Sequence, residues 1–247
     1  KAKIVMRSHN VKHIIWELLA VSEKKILKKK YLNLLAGRLK QYELKTLSAV
    51  DGIISITSVD ENIFKSLGFK GPILSIPLGI DVNDYVNSTS EKSEMVLYHL
   101  GSMDWLPNLE GVEWFLKECW TKIHQYNPQA KLFLAGRDFP QHIIDAHYPN
   151  VTCDGLVADA AAYTMNKQIM IVPLLSGSGM RVKIIQGLAA GKTIISTSIG
   201  AEGIEVEHEK NILIANTPPE FAAMIKRCME NENWCRQIGN NGRKLAE

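Results

Sequence analysis

The sequence predicts an α/β protein with a doubly wound parallel sheet, and two patterns carry that reading. From residue 95 onward, short unbroken apolar runs alternate with helical stretches, as buried parallel strands alternate with their crossover helices. The first of these runs also end in glycine: MVLYHLG at 95–101, KLFLAG at 131–136 and NVTCDG at 150–155.

Before residue 78 the same alternation is shorter and less regular. Residues 3–7 read as a strand broken by Ser8 to Asn10, and residues 11–48 have helical spacing, with Ile14, Leu18 and Leu19 marking one helix and Leu32, Leu35, Leu39, Tyr42 and Leu47 a second. GIISIT at 52–57 is a buried-strand pattern, and Ser58 and Asp60 signal the start of a short helix that ends near Gly68. Pro72 to Pro77 bound a further strand. The stretch LGIDVNDYVNSTSEKSE at 78–94 is polar and aperiodic, as interdomain linkers are. The expected division is therefore 1–89 for one domain with its linker and 90–247 for the other.

In the second part the helices are expected at 111–124, 141–146, 159–165 and 180–191, with a closing helix from Pro219, and the remaining strands at QIMIVPL, TIISTS and NILIA. In such sheets ligands bind at the carboxyl ends of the strands, against helix N-termini, so the strand-to-helix loops are where function is to be sought. The opening on KAKIVMRSHN reads as a strand already inside a domain, and the close on NNGRKLAE falls in a helical pattern, so the chain reads as part of a longer protein.

Of the 247 residues, 46% are hydrophobic and 22% charged, an ordinary globular composition. The net charge of +3 is unevenly spread: residues 1–45 hold twelve Lys or Arg against three Glu, and the remainder holds 17 against 23. A basic front end fits an anionic surface, and it equally fits a solvated helix face. Cys119, Cys153, Cys228 and Cys235 form no Cys-x-x-Cys and lack histidines at metal-ligand spacing, so neither a zinc site nor a disulfide framework is indicated. No apolar run is long enough for a membrane span, and nothing resembles a signal peptide; a cytoplasmic setting, peripheral to the inner membrane at most, is expected.

The most informative loop is SGSGMRVK at 176–183. Gly177 and Gly179 free the backbone ahead of a helix whose first turns carry Arg181 and Lys183, and bare amides, the helix dipole and two cations together suit a diphosphate. The alternative is that the glycines turn the chain and the cations are solvated. Lys183 and Gln186 share a helix face, with Val182, Ile185 and Ala189 placed to face the sheet. In GSMDWLPN at 101–108, Gly101 and Ser102 allow close approach to the backbone, with Asp104, Trp105 and Asn108 on the same rim, although Asn108 can equally cap the helix and Trp105 pack. Arg137 follows a strand's carboxyl end. Arg7 and His9 follow the first strand, where His9 alone reads as a structural histidine. The sequence has no G-x-G-x-x-G after a strand, no G-x-x-x-x-G-K-[ST] and no G-x-S-x-G, which argues against dinucleotide oxidoreductases, P-loop enzymes and α/β-hydrolases.

In this order and spacing, GSMDWLPN at 101–108, SGSGMRVK at 176–183 and STSIGAEGI at 196–204 resemble the bacterial branch of family 4 glycosyltransferases of the GT-B fold, the glycosyl transferase group 1 type. RSHN at 7–10 and SITSVDE at 55–61 resemble the last third of that family's N-terminal domain. The resemblance implies a GT-B fold in which 90–247 is the nucleotide-sugar-binding domain and 1–89 part of a Rossmann-like acceptor domain. It implies a retaining transfer from a UDP- or GDP-sugar to a glycan or lipid-linked acceptor in polysaccharide biosynthesis, with no metal and no cofactor other than the donor substrate. By the same resemblance Lys183 holds the diphosphate with help from Arg181, and His9 faces the cleft as a catalytic residue. Gly101, Ser102, Arg137, Gly155, Ser178, Gly179, Met180 and Gln186 then surround the donor. The family commonly has two glutamates eight apart; those positions here are Ser178 and Gln186, so one carboxylate is absent and the other is replaced by an amide that can still bond a ribose. Two other classes of function stay open from the sequence: a binding module that keeps the nucleotide pocket without catalysis, and, less well supported because the basic stretch has few aromatics, a nucleic-acid binder; no nucleic-acid partner is expected.

Overall fold

A computed structural model describes residues 2–85 and 94–247. Two compact units emerge. The first holds residues 1–79 with the short segments 175–181 and 202–205; the second holds 80–174, 182–201 and 206–247. The boundary expected at 89/90 lies outside the described residues, and the inclusion of 175–181 and 202–205 in the first unit has no counterpart in the sequence pattern.

In the first unit, three parallel strands lie side by side in chain order: β1 (Val5–Ser8), β2 (Gly52–Ser55) and β3 (Ile73–Ser75). Helices α1 (Lys12–Ser22) and α2 (Ile26–Leu47) pack on each other through Ile15, Leu19, Ala20 and Leu32. The N-terminus of α1 has no cap from its own chain neighbours. Glu43 of α2 serves instead, accepting from the amides of Lys12 (2.8 Å) and His13 (3.4 Å) and from His13 Nδ1. Helix α3 (Ser58–Ser66) is capped by Thr57, one residue before the expected start. The Thr57 hydroxyl accepts from the Asp60 amide at 3.0 Å and donates to its carboxylate at 2.7 Å.

The second unit has six parallel strands: β4 (Glu94–Leu100), β5 (Leu132–Ala135), β6 (Val151–Gly155), β7 (Lys167–Val172), β8 (Thr193–Ser196) and β9 (Leu213–Ile214). They stand in the order β6-β5-β4-β7-β8-β9. Numbered from β4, this is the 3-2-1-4-5-6 arrangement of doubly wound sheets, whose switch point lies between β4 and β7. Alternation along the strands sends Leu97, Leu134, Ile169 and Ile171 into the main core, where they meet Phe115, Leu116, Cys119 and Trp120 together with Phe221 and Ile225. Those partners come from a helical run, α4 (Leu106–Trp114), a π-helical turn at Phe115–Trp120 and α5 (Thr121–Tyr126), and from α10 (Pro218–Glu230). The remaining helices of this unit are α6 (Gln141–Ile144), α7 (Ala160–Met165), α8 (Val182–Ala189), α9 (Ser198–Ala201) and α11 (Glu232–Ala246). The closing helix expected from Pro219 is thus two helices. Asn231, with φ −136° and ψ 79°, leaves the helical region, and its side chain accepts from the Trp234 amide to start the second.

On α8 the sheet-facing residues also differ from expectation. Ala189 is buried as expected, together with Ile184, Gly187 and Leu188, whereas Ile185 is half-buried and Val182 is exposed. Gly187 lies against Met170 and Ile194, close enough that a side chain there would press on both.

The strand ends at the carboxyl edge are held by glycine. Gly101 N–H donates to Ala135, and Gly136 N–H to Gly155. Gly136 has φ +144°, and a Cβ built on it would lie 1.9 Å from the Gly101 carbonyl oxygen. Gly136→Ala therefore combines a disfavoured φ with a backbone clash, and we expect it to destabilise the second unit by about 2–4 kcal/mol in urea unfolding. A loss below about 0.5 kcal/mol would mean that β4 and β5 have room to part at this edge.

Candidate functional site

The helices that follow β4 and β7 meet at the switch point through their first turns, and both carry residues singled out by the sequence. Lys183, in the first turn of α8, donates from Nζ to Asn108 Oδ1 at 2.9 Å, and Asn108 Nδ2 donates to the Ser102 carbonyl at 2.8 Å. Asn108 therefore does not cap α4, whose N-cap is Trp105; it ties the β4 loop to the lysine. Gly101 lies under this pair: a Cβ there would stand 2.6 Å from Lys183 Nζ and 2.9 Å from Asn108 Nδ2. Only glycine leaves room for the contact.

Lys183 and Gln186 also line a cavity of about 630 Å³ between α7, α8 and the sheet. Tyr98, Leu100 and Met170 form its floor, and Ala158 to Ala162 one wall. A volume of this size suits a nucleoside-sized ligand. Gly155 ends β6 with φ +65°, and Arg137 lies on the neighbouring loop, exposed, its guanidinium 4.0 Å from Asp104. The Ser102 hydroxyl is buried without a partner among the described residues.

The remaining expected site residues belong to the first unit. His9 is exposed at the end of β1, and its carbonyl lies against Gly179, where φ +79° and a 2.2 Å clearance exclude any side chain. Ser178 is buried: its hydroxyl donates to Asp60 Oδ1 and accepts from the Val11 amide, both at 3.0 Å. Met180 is half-buried. Arg181 is buried as well, its guanidinium turned onto the Gly179 carbonyl and 4.0 Å from Glu202. Burial holds its pKa below the usual arginine value, partly offset by Glu202 and Asp60, and burial raises both of those carboxyls. The sequence placed Arg181 beside Lys183 as a pair of open cations. In the structure Arg181 is an ion-paired strut of its own loop, and the two fall in different units.

Residues 94–231, more than half of the chain, match the family described as glycosyl transferases group 1. The chain belongs to this family. A protein of the cps region of Klebsiella pneumoniae, described as an uncharacterized 44.6 kDa protein, is 26% identical over 251 residues, covering 96% of this chain and 62% of its own length. Among solved structures, TarM of S. aureus aligns with a TM-score of 0.71 at 13% identity, over 85% of this chain and 42% of its own. HepE of Anabaena aligns with a TM-score of 0.68 at 16% identity, over 99% of this chain and 67% of its own. At these identities the likeness is one of fold, and the fold is that of the GT-B glycosyltransferases. The chain spans about three fifths of the curated relative's length.

Two residues of this group 1 chain escaped the sequence reading. His99, fully buried in β4, donates from Nδ1 to the Ile171 carbonyl at 3.0 Å, while its Nε2 has no partner among the described residues. Lys192, 1% exposed, lines the cavity beyond the C-terminus of α8, and its Nζ donates to the Met165 carbonyl at 3.0 Å. The available signals were a histidine inside the apolar run VLYHL and a lysine between AAG and the buried strand TIIS. Among the described residues, no group of three or more His, Cys, Asp or Glu is placed to hold a metal ion.

Burial, with Lys167 and Arg236 nearby, pushes the Lys192 pKa down to about 7 from 10.5. The unfolded chain then binds more protons than the fold between pH 7 and 10.5, so this residue makes stability rise with pH through that window, and its penalty is full below pH 7. We expect Lys192→Met to be more stable than the parent at pH 6 and the advantage to shrink by pH 10, in urea midpoints measured across that range. A constant difference between the two proteins would show that Lys192 keeps its proton throughout.

Proposed function

We propose that the protein is a retaining glycosyltransferase, moving a sugar from a UDP- or GDP-sugar to a glycan or lipid-linked acceptor. The observation that carries this reading is Lys183, held by Asn108 over Gly101 at the switch point and bordering the cavity. In the reaction, the bond from the anomeric carbon to the diphosphate oxygen breaks and the oxygen leaves with the electron pair. The acceptor oxygen bonds to the same face of the anomeric carbon, and its proton passes to the departing phosphate. The ammonium of Lys183 and the amides at the start of α8 compensate the charge that develops there, the work a metal ion does elsewhere. Gln186 reaches the ribose from the same face of α8, the strand ends at Gly101, Arg137 and Gly155 bound the nucleotide, and Arg181 keeps the 176–181 loop in shape. Family membership supports the reading, as do the Anabaena HepE structures, which were determined with UDP and with UDP-glucose. The cps-region relative supports a role in polysaccharide biosynthesis.

A second reading, a nucleotide-sugar-binding module without transfer, is favoured by Ser178, whose hydroxyl is engaged by Asp60 and Val11 and brings no carboxylate to the sugar. Release of UDP from a UDP-sugar, in the presence of acceptor or of water, separates the two.

Lys183→Ala is expected to weaken UDP binding by about 10–100-fold in calorimetric titration, the worth of one charge-assisted bond, with the fold intact. UMP, lacking the second phosphate, is expected to lose less. Parent-like affinity for UDP, GDP and ADP alike in the variant would remove Lys183 from the diphosphate.

The acceptor side of the proposal includes an anionic membrane surface. On α2, Leu27, Tyr31 and Leu34 are exposed at helical spacing beside Lys28, Lys29 and Lys30, so one stretch offers both apolar contact and positive charge. Among the described residues no helix is long and apolar enough to cross a membrane. Exchanging the three lysines for glutamine is expected to weaken sedimentation with vesicles rich in phosphatidylglycerol, at about 1 kcal/mol per lysine, and to leave neutral vesicles unaffected. Equal sedimentation of parent and variant would leave α2 a plain solvated face.

A further inference from the structure

Three nitrogen atoms surround the open face of Gly101. A Cβ on that glycine would lie 2.6 Å from Lys183 Nζ, 2.9 Å from Asn108 Nδ2 and 3.1 Å from His99 Nε2. The first two are explained by the bonds already described; the third is not. The partner of His99 Nδ1 is a carbonyl, which only accepts, so Nδ1 carries the ring hydrogen and Nε2 presents a bare lone pair. Burial, and then the nearby Lys183 charge, hold the His99 pKa well below its ordinary value, so the ring is neutral at physiological pH. An unpaired buried acceptor is costly, and a phenylalanine would fill the same place in β4 without that cost.

We propose that His99 is a positioning residue for Lys183: its Nε2 and Asn108 Oδ1 form a two-acceptor seat that fixes the lysine ammonium over Gly101. The inference rests on the reading of Lys183 as the cation that holds the diphosphate. An ammonium offers three N–H groups in a tetrahedral spread, and Asn108 Oδ1 already takes one. Nζ and Nε2 lie 2.6 Å and 3.1 Å from the same point over Gly101, so the two are neighbours across the glycine, and a small swing of the flexible lysine chain would bring an N–H onto Nε2. A fixed acceptor at Nε2, added to Asn108 Oδ1, narrows the directions in which the ammonium can point. Since a phosphate oxygen only accepts, it has nothing to donate to Nε2, so the histidine acts through the lysine and does not touch the ligand. Glycine at 101 is part of the device, because any side chain there would stand between the three groups.

The test is a double-mutant cycle on this chain, read by UDP affinity in calorimetry and by the thermal midpoint. His99→Phe keeps the ring and removes the acceptor. Its UDP affinity is expected to fall about 3–10-fold, the worth of one modest hydrogen bond, while the thermal midpoint holds or rises. Lys183→Met is expected to fall further, and the double variant to bind no more weakly than Lys183→Met alone. Parent-like affinity in His99→Phe beside a weakened Lys183→Met overturns the seat and leaves the donor-site reading standing, as do losses that multiply in the double variant. Parent-like affinity in Lys183→Met overturns both. His99→Gln, which retains an acceptor, and His99→Met, which has only a weak one, repeat the comparison in flexible side chains. Tighter binding by the glutamine variant is expected, and equal binding overturns the proposal even if His99→Phe does not fold.

Discussion

Six strands running the same way bring their carboxyl ends to one edge, and the reversal of strand order between β4 and β7 opens a crevice there that neither neighbouring crossover fills. That constraint governs the rest of the second unit. Gly101 and Gly136 end their strands where adjacent backbone segments approach within a side chain's width, and Asn108 and Lys183 join the first turns of the helices that follow the two strands flanking the crevice. A parallel sheet demands burial on both faces, so the strands are apolar nearly throughout, and the few polar residues admitted, such as His99, stand out against that background.

Much of this unit was legible because buried parallel strands leave short apolar runs and their helices leave a different period. What the sequence hid depends on partners distant along the chain. Ser178 meets Asp60 across 118 positions, and that contact, with the close approach of Gly179 to His9, places the 175–181 loop in the first unit; a local pattern contains none of it. Arg181 was misread for the same reason. A cation in a glycine-rich loop looks open until Glu202 is found beside it. Asn231 was missed on a different ground, since a single capping residue divides two amphipathic helices whose periods would otherwise run on. Asn108 had two local readings, helix cap and site rim, and only the position of the lysine 75 residues later decides between them.

The lysines at the two ends of α8 show how environment sets the use of one side chain. Lys192 is buried with two other cations near, and although its Nζ donates to the Met165 carbonyl the fold penalises its charge. Lys183 is half-buried, with an amide oxygen to receive it. Its place on the helix is nonetheless unfavourable in isolation: the first turn of α8 contains no acidic residue, and a cation there opposes the helix dipole by about 0.3–1 kcal/mol. A lysine under selection for stability alone belongs at the other end. An anion reverses the sign, because the same dipole that repels the ammonium attracts a phosphate, and the phosphate draws on both at once. On the reading proposed for Lys183, this local cost is what a site poised for an anion displays before the anion arrives, and it suits a neutral acceptor such as Asn108 at that point, where an aspartate would cancel the charge that a phosphate is to meet.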